Sequence, residues 1–146
     1  MDIEIITAHL HLDVYGFAAI ATNKDYAGTA FRLSGRMWEI VKSNGLKNKG
    51  KNIWVYEAAD HVFAGIELEN PSDGDNNGLE ESTIRLEKYA RFRHLGPYHL
   101  LKQSGQNMAI ELAKQGYEVR FPCIEIYGHW TPKESELETE LLMCLA

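Results

Sequence analysis

The spacing of apolar residues predicts alternating strands and helices along the chain. Residues 2–7 alternate apolar and polar positions, and residues 14–22 are rich in strand-forming residues, so the two segments are predicted to form a strand pair. Between residues 28 and 44 the apolar positions instead recur every three or four residues, which is typical of an amphipathic helix. Gly45 follows directly and is expected to close this helix, since glycine accepts the left-handed conformation of a helix end. The apolar positions are Ala27, Phe31, Leu33, Met37, Trp38 and Val41.

The same order of elements returns in the second half of the chain. After predicted strands at 52–57 and 61–68, the acidic stretch 70–78 is rich in Gly and Asn and has no periodicity, so we expect a linker there. The chain then divides into repeat halves of about 1–69 and 79–146. The elements predicted after the linker are a strand at 88–94, a helix opened by Gly96-Pro97 and closed at Gly116, and strands at 121–127 and 137–145.

The two halves align at a constant offset of 71 residues. This offset pairs Met37 with Met108 and Gly45 with Gly116, so that the helix end and the following strand coincide without a gap. One helix cannot cover the apolar face of its own sheet, and we therefore expect the two copies to pack together. The prediction is a single α+β domain, a tandem pseudo-twofold repeat of β-α-β-β units whose antiparallel sheets flank a ligand groove.

One position breaks the symmetry of the repeat. The strand at 53–56 aligns with 124–127, and side chains alternate faces along a strand. We expect one face to be covered by the helices and the other to line the groove. The predicted helix-covered residues are Ile53, Val55, Ile124 and Ile126, and the predicted groove residues are Trp54, Tyr56, Glu125 and Tyr127.

Glu125 is therefore a carboxylate among three aromatic rings. Burial without a partner is costly for a carboxylate and raises its pKa, so the position is a candidate for binding a cation or for transferring a proton. The alternative is that Glu125 lies on a solvated strand face, paired with Arg91 or Arg93. The residues alone leave both interpretations open.

Composition narrows the function classes. The chain has 146 residues, a net charge of −6 at pH 7 and no basic stripe, which argues against a nucleic-acid partner. It has no run of 18 apolar residues and an acidic N-terminus, so we expect a cytoplasmic protein that does not span a membrane. Cys123 and Cys144 lack metal-ligand spacing and are expected to be buried reduced thiols.

Several other residues are candidates for the groove. Trp38, Tyr89 and Trp130 are aromatic and line either the groove or the core. His94 and Tyr98 flank the turn at Gly96-Pro97, where ring packing that fixes the helix entry is the expected role. No metal site, cofactor motif or nucleophile elbow is predicted; the imidazoles of His9 and His11 lack the further ligands that a metal needs.

Three stretches together resemble the GyrI-like small-molecule-binding family. They are the segment from Tyr89 to Tyr98, the strand that contains Glu125 and Tyr127, and the final Glu138-Thr139-Glu140-Leu141. That family includes the effector-binding domains of AraC-type and MerR-type multidrug-sensing regulators, and its fold is the tandem repeat already predicted. The resemblance implies that Glu125 is the family's pocket glutamate, which engages cationic, planar, hydrophobic ligands. No helix-turn-helix precedes the domain, so we expect it to act alone or through partners.

The resemblance implies three hypotheses about function. The first is a receptor for hydrophobic aromatic, cationic small molecules, with Trp54, Tyr56 and Tyr127 supplying stacking and Glu125 supplying charge selectivity. The second is a hydrolase that opens the cyclopropane of DNA-alkylating natural products. In it Glu125 activates or orients water, and Tyr127 or Tyr56 polarises a carbonyl. The third is a protein-interaction role such as gyrase inhibition, or assembly as a homodimer.

Overall fold

Two β-α-β-β units account for most of the fold in the computed structural model, which describes residues 1–146. The strands are β1 (Glu4–Ile6), β2 (Leu10–Ile20), β3 (Asn48–Tyr56), β4 (His61–Leu68), β5 (Glu80–Leu86), β6 (Tyr89–Leu95), β7 (Val119–Tyr127) and β8 (Glu138–Leu145). The helices are α1 (Tyr26–Ser43) and α2 (Leu101–Lys114). One unit is β2-α1-β3-β4 and the other is β6-α2-β7-β8. The predicted α+β repeat is confirmed.

Both helices end in the same motif, and the two motifs are 71 residues apart. Gly45 follows α1 with φ 59° and Gly116 follows α2 with φ 86°, the left-handed conformation that glycine adopts without a steric penalty. In each case the N–H of the residue after the glycine donates to a carbonyl of the last helical turn, at 3.0 Å and 2.9 Å. Neither helix is long and apolar enough to cross a membrane.

The strands of both units belong to one antiparallel sheet. Its order is β1-β6-β8-β7-β3-β4-β2-β5, so that β3 and β7 pair at the centre and join the two predicted sheets edge to edge. In this central pair Ile53 lies opposite Ile126, and Trp54 lies opposite Glu125. The pseudo-twofold axis therefore passes between Trp54 and Glu125, the two positions that the repeat equates.

The strand at each edge of the sheet is exchanged between the units. β1 precedes β2 in the chain but pairs with β6, and β5 precedes β6 but pairs with β2. The sequence pattern placed a strand pair at 2–7 and 14–22, and this pairing is wrong. It also missed β5 altogether, because Glu81, Thr83 and Arg85 make that strand polar on its exposed face.

Short connections force the sheet to curl. Only Glu87 and Lys88 link β5, at one edge, to β6, which is second from the other edge. Two residues span roughly 10 Å at most. The two ends of the sheet are therefore close together, and one face of the sheet closes around a core of its own.

Three hydrophobic cores result from this curl. The α1 core places Leu33, Met37 and Val41 against β2 and β4, and the α2 core places Leu101, Met108 and Leu112 against β6 and β8. The inner core fills the closed face of the sheet. Its buried members are Leu12, Val14, Ile53, Val55, Phe63, Ile84, Leu86, Tyr89, Ile124 and Leu142.

The inner core corrects the predicted faces of the central strands. Ile53, Val55, Ile124 and Ile126 contact the inner core and not the helices, so their assignment to the helix-covered face is wrong. Strand alternation was predicted correctly, but the helices cover the same face that carries the groove residues. The sequence reasoning assumed one apolar face per sheet, whereas a curled sheet buries both of its faces.

The two cysteines are free thiols and are only partly buried. They lie on the adjacent strands β7 and β8. Burial, with smaller effects of Cys144 and Glu125, raises the pKa of the Cys123 thiol to about 11, so this thiol is protonated at neutral pH.

The segment predicted to be a linker is exposed except for one residue. Asn76 is buried, and its side-chain amide bridges the backbone of Ser72 and Gly74. We expect a protease that cleaves beside aspartate to cut first at Asp73 or Asp75. Removing the bridge with Asn76→Ala should accelerate this cut, as measured by gel electrophoresis and fragment mass. A first cut inside a strand, or an unchanged rate in the variant, would contradict the expectation.

Candidate functional site

A groove of about 1240 Å³ lies between the two helices. The helices pack over the outer strands, and the groove is floored by alternate residues of the central strands β3 and β7. Residues of α1 form one wall, and the first turn of α2 with residues 128–130 forms the other. The floor residues are Gly50, Asn52, Trp54, Tyr56, Glu125 and Tyr127.

Glu125 is at the centre of the floor, next to the pseudo-twofold axis. Its Oε1 accepts hydrogen bonds from the hydroxyl groups of Tyr56, at 2.7 Å, and of Tyr127, at 3.1 Å. Both bonds end on the same oxygen, so Oε2 is available to a molecule in the groove. The ion pairs of the protein do not include this carboxylate. Arg91 pairs with Glu140 and Arg93 with Glu138, which excludes them as its partners.

Burial has the largest effect on the pKa values of Glu125, Tyr56 and Tyr127. Loss of water raises the pKa of Glu125, and the two tyrosine hydroxyls oppose that rise because they donate to the ionised form. Burial also raises the pKa of Tyr56 and of Tyr127, and the neighbouring carboxylate adds to both shifts. Both phenols are therefore neutral donors, and the carboxylate gains its negative charge at a higher pH than an exposed glutamate does.

Aromatic rings extend from this carboxylate to both walls. The ring of Trp54 lies 4.7 Å from that of Tyr127, measured between centroids. Tyr26 packs edge-on against Tyr56 at 6.2 Å, and Tyr98 packs edge-on against Tyr127 at 5.4 Å. Tyr26 is the first residue of α1, and Tyr98 lies three residues before α2, so the two edge-on pairs are approximately related by the pseudo-twofold. A flat ligand would meet rings on several sides.

Two tryptophans of the groove differ in whether the indole N–H has a hydrogen-bond acceptor. The Trp38 Nε1–H and the Ser34 hydroxyl both donate to Oδ1 of Asn52, a floor residue, so Trp38 lines the groove as well as packing against the α1 core. The Nε1–H of Trp54 is buried and has no acceptor. An unpaired buried donor costs roughly 1–3 kcal/mol, and such a cost is common at functional sites.

Comparison of the sequence with models of protein families identifies a family whose members bind small molecules. The model of the GyrI-like small molecule binding domain matches residues 25–145. The chain belongs to this family. It is thus a small-molecule-binding domain, as the resemblance of its motifs implied.

Solved structures of low sequence identity share the GyrI-like fold. The C-terminal domain of EcmrR matches with a TM-score of 0.76 at 16% identity, over 100% of this chain and 99% of that one. SAV2435 bound to tetraphenylphosphonium matches with a TM-score of 0.66 at 18% identity, over 100% of this chain and 94% of that one. A hydrolase from Listeria innocua matches with a TM-score of 0.56 at 11% identity, over 99% of this chain and 91% of that one. The comparison with curated proteins finds no match.

The GyrI-like groove contains all but one of the residues singled out from the sequence. Those that line it are Glu125, Tyr127, Trp54, Tyr56, Trp38 and Trp130. Tyr89 does not: it is buried in the inner core on the opposite face of the sheet, so its prediction as a groove residue is wrong. The reason is strand alternation, because β6 turns Tyr89 inward and Ala90 towards α2.

Among the groove residues that the sequence reasoning missed are three with Tyr or Phe rings. Tyr26 and Phe31 lie on the α1 side, and Phe31 is 72% exposed although helical periodicity had placed it in the core. Tyr98 was expected to fix the helix entry, but its ring lines the groove. His94 does take that structural role, with ring nitrogens 2.7 Å from the Ser104 hydroxyl and 3.2 Å from a backbone carbonyl. Tyr26 and Tyr98 could have been found from the sequence, because they lie within one position of the repeat offset from each other.

Proposed function

We propose that this groove binds hydrophobic aromatic cations and that Glu125 provides the selectivity for positive charge. The observation that carries the proposal is the carboxylate itself. It is partly buried among rings, bonded to neutral phenols through one oxygen only, and free of any Lys, Arg or His nitrogen within 4.0 Å. SAV2435, which shares the fold, is bound to tetraphenylphosphonium, a lipophilic aromatic cation.

Aromatic faces and a charge would act together on such a ligand. The negative faces of Trp54, Tyr56 and Tyr127 attract a cation by roughly 0.5–2 kcal/mol each when water is excluded. Glu125 adds a direct charge interaction that is stronger in a groove poor in water than at the surface. Because burial opposes ionisation of Glu125, a bound cation also favours loss of its proton, so cation binding should release protons at mildly acidic pH.

Glu125→Gln is the decisive variant, because it keeps the shape of the side chain and removes its charge. We expect it to weaken tetraphenylphosphonium binding by about 1–3 kcal/mol, the usual scale for a charge-assisted contact. Binding of the neutral analogue triphenylphosphine oxide should change far less. Isothermal titration calorimetry measures both ligands.

Glu81→Gln provides the matched control. Glu81 is an exposed strand residue of β5, outside the groove, and its substitution should leave both affinities unchanged. Equal binding of the cation by the parent and by Glu125→Gln would refute the role proposed for the carboxylate.

A hydrolase is the second candidate, favoured by the contact between Glu125 and two tyrosines and by the Listeria innocua relatives described as hydrolases. Glu125 would take a proton from water, and Tyr56 or Tyr127 would donate a hydrogen bond to the substrate carbonyl. Water would add to one carbon of a strained cyclopropane while the ring bond breaks towards the carbonyl. Mass spectrometry of alkylators that carry a cyclopropane should then show products heavier by one water. Absence of turnover at catalytic protein concentrations would rule this reading out.

A further inference from the structure

The mouth of the groove carries positive charge, in contrast to its floor. Lys24 and Lys102 both line the groove and are exposed, and neither ammonium lies within 4.0 Å of a carboxylate. Lys24 lies just before α1, and Lys102 lies in the first turn of α2. The two lysines thus reach the groove from the start of different helices, although the repeat does not equate their positions.

The acidic residue at the mouth is already engaged. Asp25 caps α1 by accepting a hydrogen bond from the backbone N–H of Gly28 at 3.1 Å, and its other oxygen lies 3.9 Å from Arg32. The first turn of a helix favours a negative charge, so this carboxylate is satisfied by its own element. Neither Lys24 nor Lys102 forms an ion pair with Asp25.

Rings connect the lysines to the floor. Lys102 is one helical turn after Tyr98, whose ring packs on Tyr127, and the hydroxyl of Tyr127 contacts Glu125. On the other side Lys24 is two residues before Tyr26, whose ring packs on Tyr56. On each side, two packed tyrosine rings therefore form the separation between the helix start near the lysine and the central carboxylate. A ligand of two or three linked rings would span that separation.

We propose that the groove selects amphoteric aromatic ligands, with a cationic centre at Glu125 and an anionic substituent, such as a carboxylate, at Lys24 or Lys102. This inference rests on the proposed role of Glu125 and adds a second charge to the ligand. A ligand with positive charge alone meets repulsion from two lysines as it enters, whereas an amphoteric ligand is complementary at both ends. Complementary charges raise specificity and the association rate.

A pair of dyes tests the second charge. Rhodamine B carries both a cationic xanthene and a carboxylate, and its ethyl ester carries the cation alone. We expect the parent protein to bind rhodamine B more tightly than the ester at low ionic strength, by about two- to fivefold for each lysine engaged, as for a solvent-exposed ion pair. Fluorescence anisotropy measures both affinities, and added salt should reduce the preference.

Lysine variants identify the source of the preference. Lys102→Gln and Lys24→Asn should each weaken the binding of rhodamine B by about two- to fivefold. The affinity for the ester should stay the same or rise slightly. Asparagine is chosen at position 24 because φ there is 58°, which it tolerates. Lys114→Gln, in the last turn of α2 and outside the groove, is the control and should change neither affinity.

The two proposals fail in different ways. If the lysine variants change the affinities for both dyes equally, or change neither, the proposal of an amphoteric ligand is overturned. In that case, weaker binding of both dyes by Glu125→Gln still supports the cation site. If Glu125→Gln binds both dyes as well as the parent does, the cation site is overturned, and with it the proposal that rests on it. A parent protein that binds neither dye counts against both.

Discussion

Gly16→Ala is expected to leave little or no folded protein at ordinary temperatures. Gly16 on β2 is paired directly with Gly65 on β4, and the two backbones approach closely at this point. A Cβ atom at position 16 would lie 1.9 Å from the carbonyl oxygen of Ala64 and 2.6 Å from the Cα of Gly65. Both contacts are with backbone, so the strands must separate to relieve them.

Separation of β2 from β4 would also disrupt the α1 core, since α1 packs on these two strands. We expect a loss of about 4 kcal/mol or more, in a domain whose total stability is on the order of 5–15 kcal/mol. Circular dichroism during urea unfolding, together with the soluble yield, measures the effect.

Gly105→Ala is the matched control for this substitution. Position 105 lies within α2, and a Cβ atom there would meet no heavy atom within 4 Å. Alanine is favoured over glycine inside a helix, so the variant should be more stable by about 0.5–1 kcal/mol. A folded Gly16→Ala protein of nearly parental stability would show that the close approach of β2 and β4 is not required.

The double variant Tyr56→Phe/Tyr127→Phe is expected to lose about 2–3 kcal/mol of stability near neutral pH, and much less in mild acid. Both hydroxyls donate to Oε1 of Glu125, and the substitution removes both bonds while leaving the carboxylate in place. A buried carboxylate without donors is costly when ionised, and the protein avoids the cost by keeping the proton.

The sign of the pH dependence follows from the raised pKa of Glu125. For a carboxyl whose pKa is higher in the folded than in the unfolded state, the stabilisation is complete below the unfolded pKa. It is lost as pH rises through the folded pKa. Loss of the two donors raises the folded pKa further, so stability should fall more steeply than in the parent as pH rises above the usual pKa range of an exposed glutamate. The Cys123 thiol also faces this carboxylate, and its raised pKa of about 11 keeps it uncharged at neutral pH.

Two further variants isolate the effect. Tyr98→Phe removes a groove hydroxyl that makes no hydrogen bond to Glu125, and it should give the parental pH profile. Adding Glu125→Gln to the double variant should remove the extra pH dependence altogether, since no charge remains to be stabilised. Urea unfolding at several pH values measures these differences. Parallel profiles for the parent and the double variant would show that the carboxylate does not depend on the two hydroxyls.

Most of the candidate site follows from one comparison within the sequence. The offset of 71 residues equates Trp54 with Glu125 and Tyr56 with Tyr127, and strand alternation then places all four on one face. Alternation is a property of the extended backbone and needs no tertiary contact. Groove residues outside the strands could not be found in this way. Tyr26 and Tyr98 stand where a helix begins, and the direction of a ring there depends on what packs beside it.

The local elements of this protein and their repetition could be predicted from the amino-acid sequence. Periodicity located both helices, Gly45 and Gly116 ended them, and the constant offset predicted a pseudo-twofold pair of units. These features depend on neighbours in the chain and on backbone conformation, which composition and spacing encode directly.

The face of the sheet that the helices cover depends on long-range packing, which the three-dimensional structure shows. This packing exchanges β1 and β5 between the units, curls the sheet, and buries Ile53 and Tyr89 in an inner core that the pattern of residues did not indicate. An apolar residue on a strand shows that its face is buried but not what covers it. Here the other end of the same sheet covers one face, and the groove with its two helices occupies the other.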